Sequence, residues 1–328
     1  MNIIIGCSGS TGSSLLKTIL NRHTQIFSGP ETCLFAFPQV YDNWEMHQST
    51  LLKNVTTDGW VIRKGINLLQ PAYGWTKEDL EKAIPKAPNF KSFVATFFSK
   101  PLAHSQKKYW IEKTPVNAYG FRSFLQAYSK GKTIHIVRNP YDTVASLMAR
   151  GMNPYYAAGY YVYNTAIASS SNADDRYYQL KYEDLVAEPT ATLEKLFRFL
   201  EIPFEENIIA AKYEQRKEPT TMDGWKHHET APVQASSIGR FQELPTAQQA
   251  LIQTALGAFK IHPTYEKKYH IQYTTCQELC ELLDYDFQTV IDSTHLAILK
   301  KYYWKSRLGR IRHQGWRAIN SFPGDWVT

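Results

Sequence analysis

At 328 residues, with 43% hydrophobic and 20% charged side chains, the chain has a globular composition and room for one large domain or two smaller ones. Its four cysteines, Cys7, Cys33, Cys276 and Cys280, include one Cys-x-x-x-Cys pair with no second Cys/His pair beside it, so neither a disulfide scaffold nor a metal site is expected. The formal charge of +7 gathers at the C-terminal end, where Lys300, Lys301, Lys305, Arg307, Arg310, Arg312 and Arg317 face Asp325 alone; the remainder is near neutral, and nucleic-acid binding is not expected. No apolar run approaches the length of a membrane span, and a first strand at residue 2 or 3 leaves no room for a signal peptide, so the expected setting is the cytoplasm.

Ile3-Ile4-Ile5 reads as a buried parallel strand. Gly6 to Gly12 holds only Gly, Ser, Thr and one Cys, and Leu15, Leu16, Ile19 and Leu20 then recur at helical spacing from about Ser13. Strand, glycine-rich turn and helix together aim backbone N–H groups at an anion, with the hydroxyls of Ser10, Thr11, Ser13 and Ser14 as further donors. Several cradles share that form. A Walker-type loop needs a lysine after the last glycine, where Ser13 stands. Gly6-x-x-Gly9-x-x-Gly12 is similar to the fingerprint of short-chain reductases, and Tyr109-x-x-x-Lys113 supplies a Tyr/Lys pair. That pair belongs on a helix, however, and Pro115 argues against one. A strand–helix turn that binds nothing is also open at this point.

Further along, Gln25–Ser28 reads as a short strand. Residues 38–108 read as aromatic-rich helix and loop punctuated by Pro71, Pro85, Pro88 and Pro101, a variable wall over the site. Tyr109–Glu112 is a strand, and Phe121, Phe124, Leu125 and Tyr128 fit a helix. Thr133–Arg138 is a second buried strand, followed by Asn139 as N-cap, Pro140 in the first turn and Asp142 as first-turn charge. Tyr177–Tyr182 is another strand, and Leu193, Leu196, Phe197 and Leu200 another helix. Strands alternating with helices predict a three-layer α/β fold, a mostly parallel central sheet flanked by helices, with ligands at the carboxyl ends of the strands.

Three stretches, Gly12-Ser13-Ser14-Leu15-Leu16, Ile136-Val137-Arg138-Asn139-Pro140 through Ser146, and Tyr182-Glu183-Asp184-Leu185, resemble the signature segments of sulfotransferases. Ser236-Ser237-Ile238-Gly239-Arg240-Phe241 resembles their late nucleotide-covering loop. The resemblance runs in the family's order from Ile3 to about Leu244. It implies a P-loop-like nucleotide-binding core and the co-substrate 3′-phosphoadenosine 5′-phosphosulfate (PAPS), leaving adenosine 3′,5′-bisphosphate (PAP), with no metal. It assigns Gly9, Ser10, Thr11, Gly12, Ser13 and Ser14 to the 5′-phosphosulfate, and Arg138, Ser146, Tyr182, Ser237 and Arg240 to the nucleoside and 3′-phosphate. Arg138 at a strand end suits a phosphate, which its guanidinium can fork onto; a structural pair with Asp142 is the plainer alternative.

Sulfuryl transfer needs in-line positioning, neutralisation of the leaving phosphate and a base for the acceptor. Many family members place a cation ahead of the loop core, where Ser10 stands here, so Lys113 of Glu112-Lys113-Thr114-Pro115 inherits that role; pairing with Glu112 is its alternative. Glu31 is the candidate base, by resemblance to the tyrosylprotein and heparan-type branch. A carboxylate at a helix N-terminus would explain Pro30-Glu31-Thr32 equally well. His104 is the rival base, while His23 and His135 read as structural. Trp225–His228 reads as part of a lid. The expected organisation is a domain over 1–262 and a helical basic C-terminal extension over 263–328, through which a homo-oligomer could form; the acceptor is a hydroxyl or amine of a small molecule, natural product or sugar. A reductase or a non-catalytic nucleotide binder are the alternatives.

Overall fold

The computed structural model describes residues 2–56, 72–210 and 237–301. Its centre is a five-stranded sheet in the order β2-β3-β1-β4-β5, formed by Asn2–Gly6 (β1), Ile26–Phe27 (β2), Tyr109–Lys113 (β3), Lys132–Val137 (β4) and Tyr177–Lys181 (β5). Every pairing is parallel, with Ile5 beside Lys113 on one flank of β1 and Gly6 beside His135 on the other. The apolar runs around Ile4 and Ile134 belong to strands covered on both faces, which is why they lack the alternation of a half-exposed strand. Tyr109 and Lys113 lie at opposite ends of β3, so the Tyr/Lys pair is not the helical one a reductase needs.

Alternating side chains of β1 divide the core. Ile3 and Ile5 join Leu16, Ile19 and Leu20 of the Ser13–Asn21 helix and Leu193, Leu196 and Phe197 of the Pro189–Leu200 helix. Ile4 faces the other layer, an aromatic cluster centred on Phe35. Phe35 stacks on Trp110, lies edge-on to Phe90 and Phe124, and packs near Phe98, drawing together the helices Phe90–Ser105 and Phe121–Ala127. A third cluster joins the helices Pro140–Met148 and Pro154–Ser169 to Thr246–Ala258 and Cys276–Leu283, with Leu299 on its edge. Among the described residues no helix is long and apolar enough to cross a membrane.

The wall region is helical where it is described, in Gln39–Asp42, Trp44–Thr56, Lys77–Lys86 and Phe90–Ser105. Two of its prolines do not break helices as expected. Pro85 lies in the last turn of one helix, and Pro101 sits inside another, buried with Phe97 and Phe98, where packing offsets the backbone hydrogen bond it removes. Pro115 opens a 3-10 turn, Pro115–Gly120, straight after β3. Residues 57–71, the Trp225–His228 lid and the tail beyond 301 lie outside the described residues.

The topology places the site. The chain leaves β1 toward β2, beyond β3, and leaves β4 toward β5 on the opposite side. The loops after β1 and β4 therefore part, opening a crevice at the carboxyl ends of the two central strands.

Two properties of this core can be measured. Phe35→Ala should cost about 3–5 kcal/mol, read as a lower urea midpoint at unchanged m. His135, fully buried in β4 with Nδ1 at 2.7 Å from the Tyr177 hydroxyl, has its imidazole pushed by burial down to about 3 from an ordinary 6.5. The unfolded chain thus takes up a proton the folded chain refuses, so this contribution is complete above pH 6.5 and is lost as pH falls toward 3, by about 1.4 kcal/mol per pH unit. His135→Gln should flatten the acid limb of stability by that slope; an unchanged slope would contradict the assignment.

Candidate active site

The loop after β1 is a cradle held open by its own bonds. Gly12, at φ 87, is the N-cap of the Ser13–Asn21 helix and offers no side chain to the helix N-terminus, whose first N–H groups stay available to an anion. A Cβ at Gly12 would fall 2.3 Å from the Tyr182 ring, so both its conformation and its contact require glycine. Ser10 also takes a left-handed conformation, φ 68, and its buried hydroxyl has no partner among the described residues. Not every hydroxyl expected to bind phosphate is free to do so. Thr11 Oγ1 donates to the Ser8 carbonyl at 2.9 Å and braces the loop, and Ser13 lies beside the buried Cys7 thiol. Tyr160 covers Gly9.

Lys113, at the end of β3, is 3% exposed and reaches the cradle: its Nζ lies 3.3 Å from Ser14 Oγ in the first turn of the helix. Its ion-pair partner is Glu31, not Glu112. Burial opposes the ammonium, but the Glu31 carboxylate outweighs burial and holds Lys113 above its ordinary value. Glu31 lies in an irregular segment before the Gln39–Asp42 helix and caps no helix, which removes the plainer explanation for it. Its side chain is 46% exposed and so accessible from the cleft. His104 is exposed in the last turn of the Phe90–Ser105 helix, which leads into the start of β3, whereas Lys113 stands at the far end of that strand.

Arg138 follows β4 on the other side of the crevice and is 3% exposed. One guanidinium nitrogen donates to the Ser10 carbonyl at 3.0 Å, another donates to the Ser237 carbonyl, and the plane packs 5.0 Å from the Tyr182 ring centre. Its buried Nε has no partner among the described residues. Arg138 thus ties cradle to late loop while keeping one donor uncommitted. Its pair with Asp142 is loose, at 3.7 Å. Asp142 mainly caps the late turn, accepting the backbone N–H groups of Gly239 at 2.8 Å and Phe241 at 2.9 Å, a role beyond the helix-start charge expected of it. Asn139 caps its helix as expected, accepting from Tyr141 and Asp142 N–H groups. Ser146 is buried two turns further along that helix.

Burial holds Arg138 below its ordinary value, with Asp142 opposing and the nearby Arg240 adding to the effect. Arg150, at the turn ending the same helix, joins them. Burial holds its guanidinium down too, Tyr160 and Glu31 opposing, Arg240 and Arg138 adding. Such a cluster of like charges fits a bound polyanion. Nothing in the Ala149-Arg150-Gly151 sequence marks that arginine. Tyr182 is wedged between Gly12 and Arg138, and Glu183 accepts the Asn139 N–H at 2.9 Å and the Tyr285 hydroxyl at 2.8 Å, locking the C-terminal segment onto the arginine loop. The unpartnered Ser10 hydroxyl and Arg138 Nε, the uncapped helix start and Lys113 make a fit for a nucleotide bearing phosphates at both ends.

A family model described as "Sulfotransferase family" matches residues 2–206. Over 140 residues the chain is 25% identical to the omega-hydroxy-beta-dihydromenaquinone-9 sulfotransferase Stf3 of Mycobacterium bovis and to that of Mycobacterium tuberculosis. The match spans 37% of this chain and about a third, 36%, of those relatives. Among solved structures, the sulfotransferase domain of the Synechococcus PCC 7002 olefin synthase superposes with a TM-score of 0.57 at 20% identity, covering 88% of this chain and 95% of that domain, a likeness of fold. With well over half of its length matched by the family model, the chain belongs to the sulfotransferase family.

Proposed function

We propose that this protein transfers a sulfuryl group from PAPS to a hydroxyl or amine of a small-molecule or sugar acceptor, with Glu31 as general base. The observation that carries the reading is the pair of cationic sites flanking the crevice: Lys113 at the helix-start cradle, and Arg138 with Arg240 beyond it. NADH, whose two phosphates form one pyrophosphate, gives no reason for the second, and NADPH, with its separate 2′-phosphate, is told apart by the titration below. The mycobacterial relatives' name specifies a hydroxylated compound, which supports a hydroxyl acceptor. All four cysteines are buried and none is in a disulfide, which supports a reducing, cytoplasmic setting.

On this reading the backbone of Gly9 to Ser14 and the Lys113 ammonium hold the 5′-phosphosulfate, and Arg138, Ser146, Ser237 and Arg240 hold the 3′-phosphate. PAPS supplies the sulfuryl group. Glu31 takes the acceptor's proton as the acceptor oxygen or nitrogen attacks sulfur, and Lys113 neutralises the phosphate oxygen left behind. Lys113 also explains how the loop does without a cation at Ser10. In the free protein the Lys113 ammonium holds the Glu31 carboxylate; phosphates competing for that ammonium release the carboxylate to act as a base, so the nucleotide binds before the acceptor is activated.

Calorimetric titration with PAP beside NADPH tests the reading. PAP should bind wild type, and Arg138→Ala should weaken it roughly 30-fold or more, about 2 kcal/mol for lost charge-assisted hydrogen bonds. Glu31→Gln should bind PAP at least as tightly as wild type, because the Lys113 ammonium no longer has to be won from a carboxylate, while losing at least ~100-fold in transfer. Binding of NADPH in place of PAP would overturn the proposal.

A further inference from the structure

Glu112 is the penultimate residue of β3 and is 1% exposed. A buried carboxylate is costly unless its oxygens are satisfied, and every partner of this one is a donor. The Thr32 N–H at 2.8 Å and the Thr114 hydroxyl at 2.7 Å both donate to Oε1, and the Asn117 amide donates to Oε2. Having given its proton to Glu112, the Thr114 oxygen accepts the Cys33 N–H at 3.1 Å. The two backbone N–H groups that follow Glu31 therefore end on one carboxylate, the first directly and the second through Thr114. Cys33 itself is held at φ 55, a conformation a non-glycine residue keeps only when its surroundings impose it. Asn117 also donates to the Ile5 carbonyl at 3.1 Å, fixing the network to β1, the strand that carries the cradle.

Glu112 and Lys113, as neighbours on a strand, point to opposite faces, and both reach the Glu31 segment: Lys113 holds its side chain and Glu112 its backbone. We infer that Glu112 is a positioning residue, which acts through Thr32, Thr114 and Cys33 to hold the Glu31 carboxylate over the cleft for proton abstraction. Burial pushes the Glu112 carboxyl up, and the hydrogen bonds from Asn117, Thr114 and Thr32 pull it back toward the ionised form the network needs. The inference rests on the sulfotransferase reading for what Glu31 does, and on hydrogen-bond geometry alone for how Glu31 is held.

The test uses the full chain and two measurements. Amide hydrogen exchange at Thr32 and Cys33 should be at least ~10-fold faster in Glu112→Ala than in wild type; in Thr114→Val, which leaves the carboxylate in place, the increase should be confined to Cys33. PAPS breakdown with water as the acceptor is the second readout. Here the water oxygen bonds to sulfur, the sulfur–oxygen bond to the 5′-phosphate breaks, and the water proton passes to Glu31, giving sulfate and PAP. Glu112→Ala should lose at least ~10-fold in this turnover with PAP affinity within about threefold of wild type, and Glu112→Gln, which keeps the Oε1 acceptor, should recover most of it. Added to Glu31→Gln, Glu112→Ala should cost no more than about another twofold, because its effect passes through Glu31. Unchanged exchange at Thr32 and Cys33, or losses that multiply in the double variant, would overturn the inference. A wild-type chain that does not bind PAP would overturn the sulfotransferase reading instead, leaving the exchange result to decide what Glu112 holds.

Discussion

The buried ammonium of Lys113 stands between the Glu31 carboxylate and the start of the Ser13–Asn21 helix, where it meets the Ser14 hydroxyl. Taken out of water, a charge must be matched, and this one is matched only as long as Glu31 stays within reach. The surrounding architecture keeps it there. Parallel pairing sets Lys113 beside Ile5, the 3-10 turn after β3 carries Asn117 back under β1, and the Glu112 network fixes the segment on which Glu31 rides. Gly120 shows how tight this is: a Cβ there would lie 1.8 Å from the Phe35 carbonyl, so the turn after β3 and the segment after Glu31 meet backbone to backbone.

Across the crevice the arrangement is of a different kind. Arg138 is joined to Ser10 and Ser237 by carbonyl groups, which carry no net charge, and Asp142 spends its carboxylate chiefly on the backbone of Gly239 and Phe241. Arg138 thus lies near Arg240 and Arg150, while the late loop is docked through its backbone, by a carbonyl on Arg138 and two N–H groups on Asp142. Stacking of Tyr141 between Phe241 and Phe287, with its hydroxyl between the Gln288 backbone groups, extends this docking to the C-terminal segment.

Much of the fold was legible in the sequence, because strands buried on both faces read as apolar runs and Gly6 and Gly12 of the cradle stand where a Cβ would meet a neighbour at 2.3 Å. The five strands lie where hydrophobicity indicated, though β2 shortens to Ile26–Phe27. Three things were not legible. Pro85 and Pro101 read as breakers in the sequence, whereas Pro101 is buried with the aromatic face inside one helix and Pro85 sits exposed in the last turn of another. Thr11 was counted among the phosphate donors, but its hydroxyl is used up inside the loop. Glu112 and Arg150 owe their positions to contacts with residues distant in sequence, at Thr32 and around Arg240, and no local pattern announces such contacts. Glu31 and Lys113, by contrast, were singled out from separate segments, and the structure brings them together.

A crystal structure of the chain with PAP bound is the most direct test of the two-site crevice. The 5′-phosphate is expected on the backbone N–H groups of the Gly9–Ser14 loop with Lys113 turned toward it, and the 3′-phosphate on the arginine side, within reach of Arg138. A nucleotide lying outside the crevice, or one whose 3′-phosphate faces away from Arg138 while Lys113 still holds Glu31, would contradict that account.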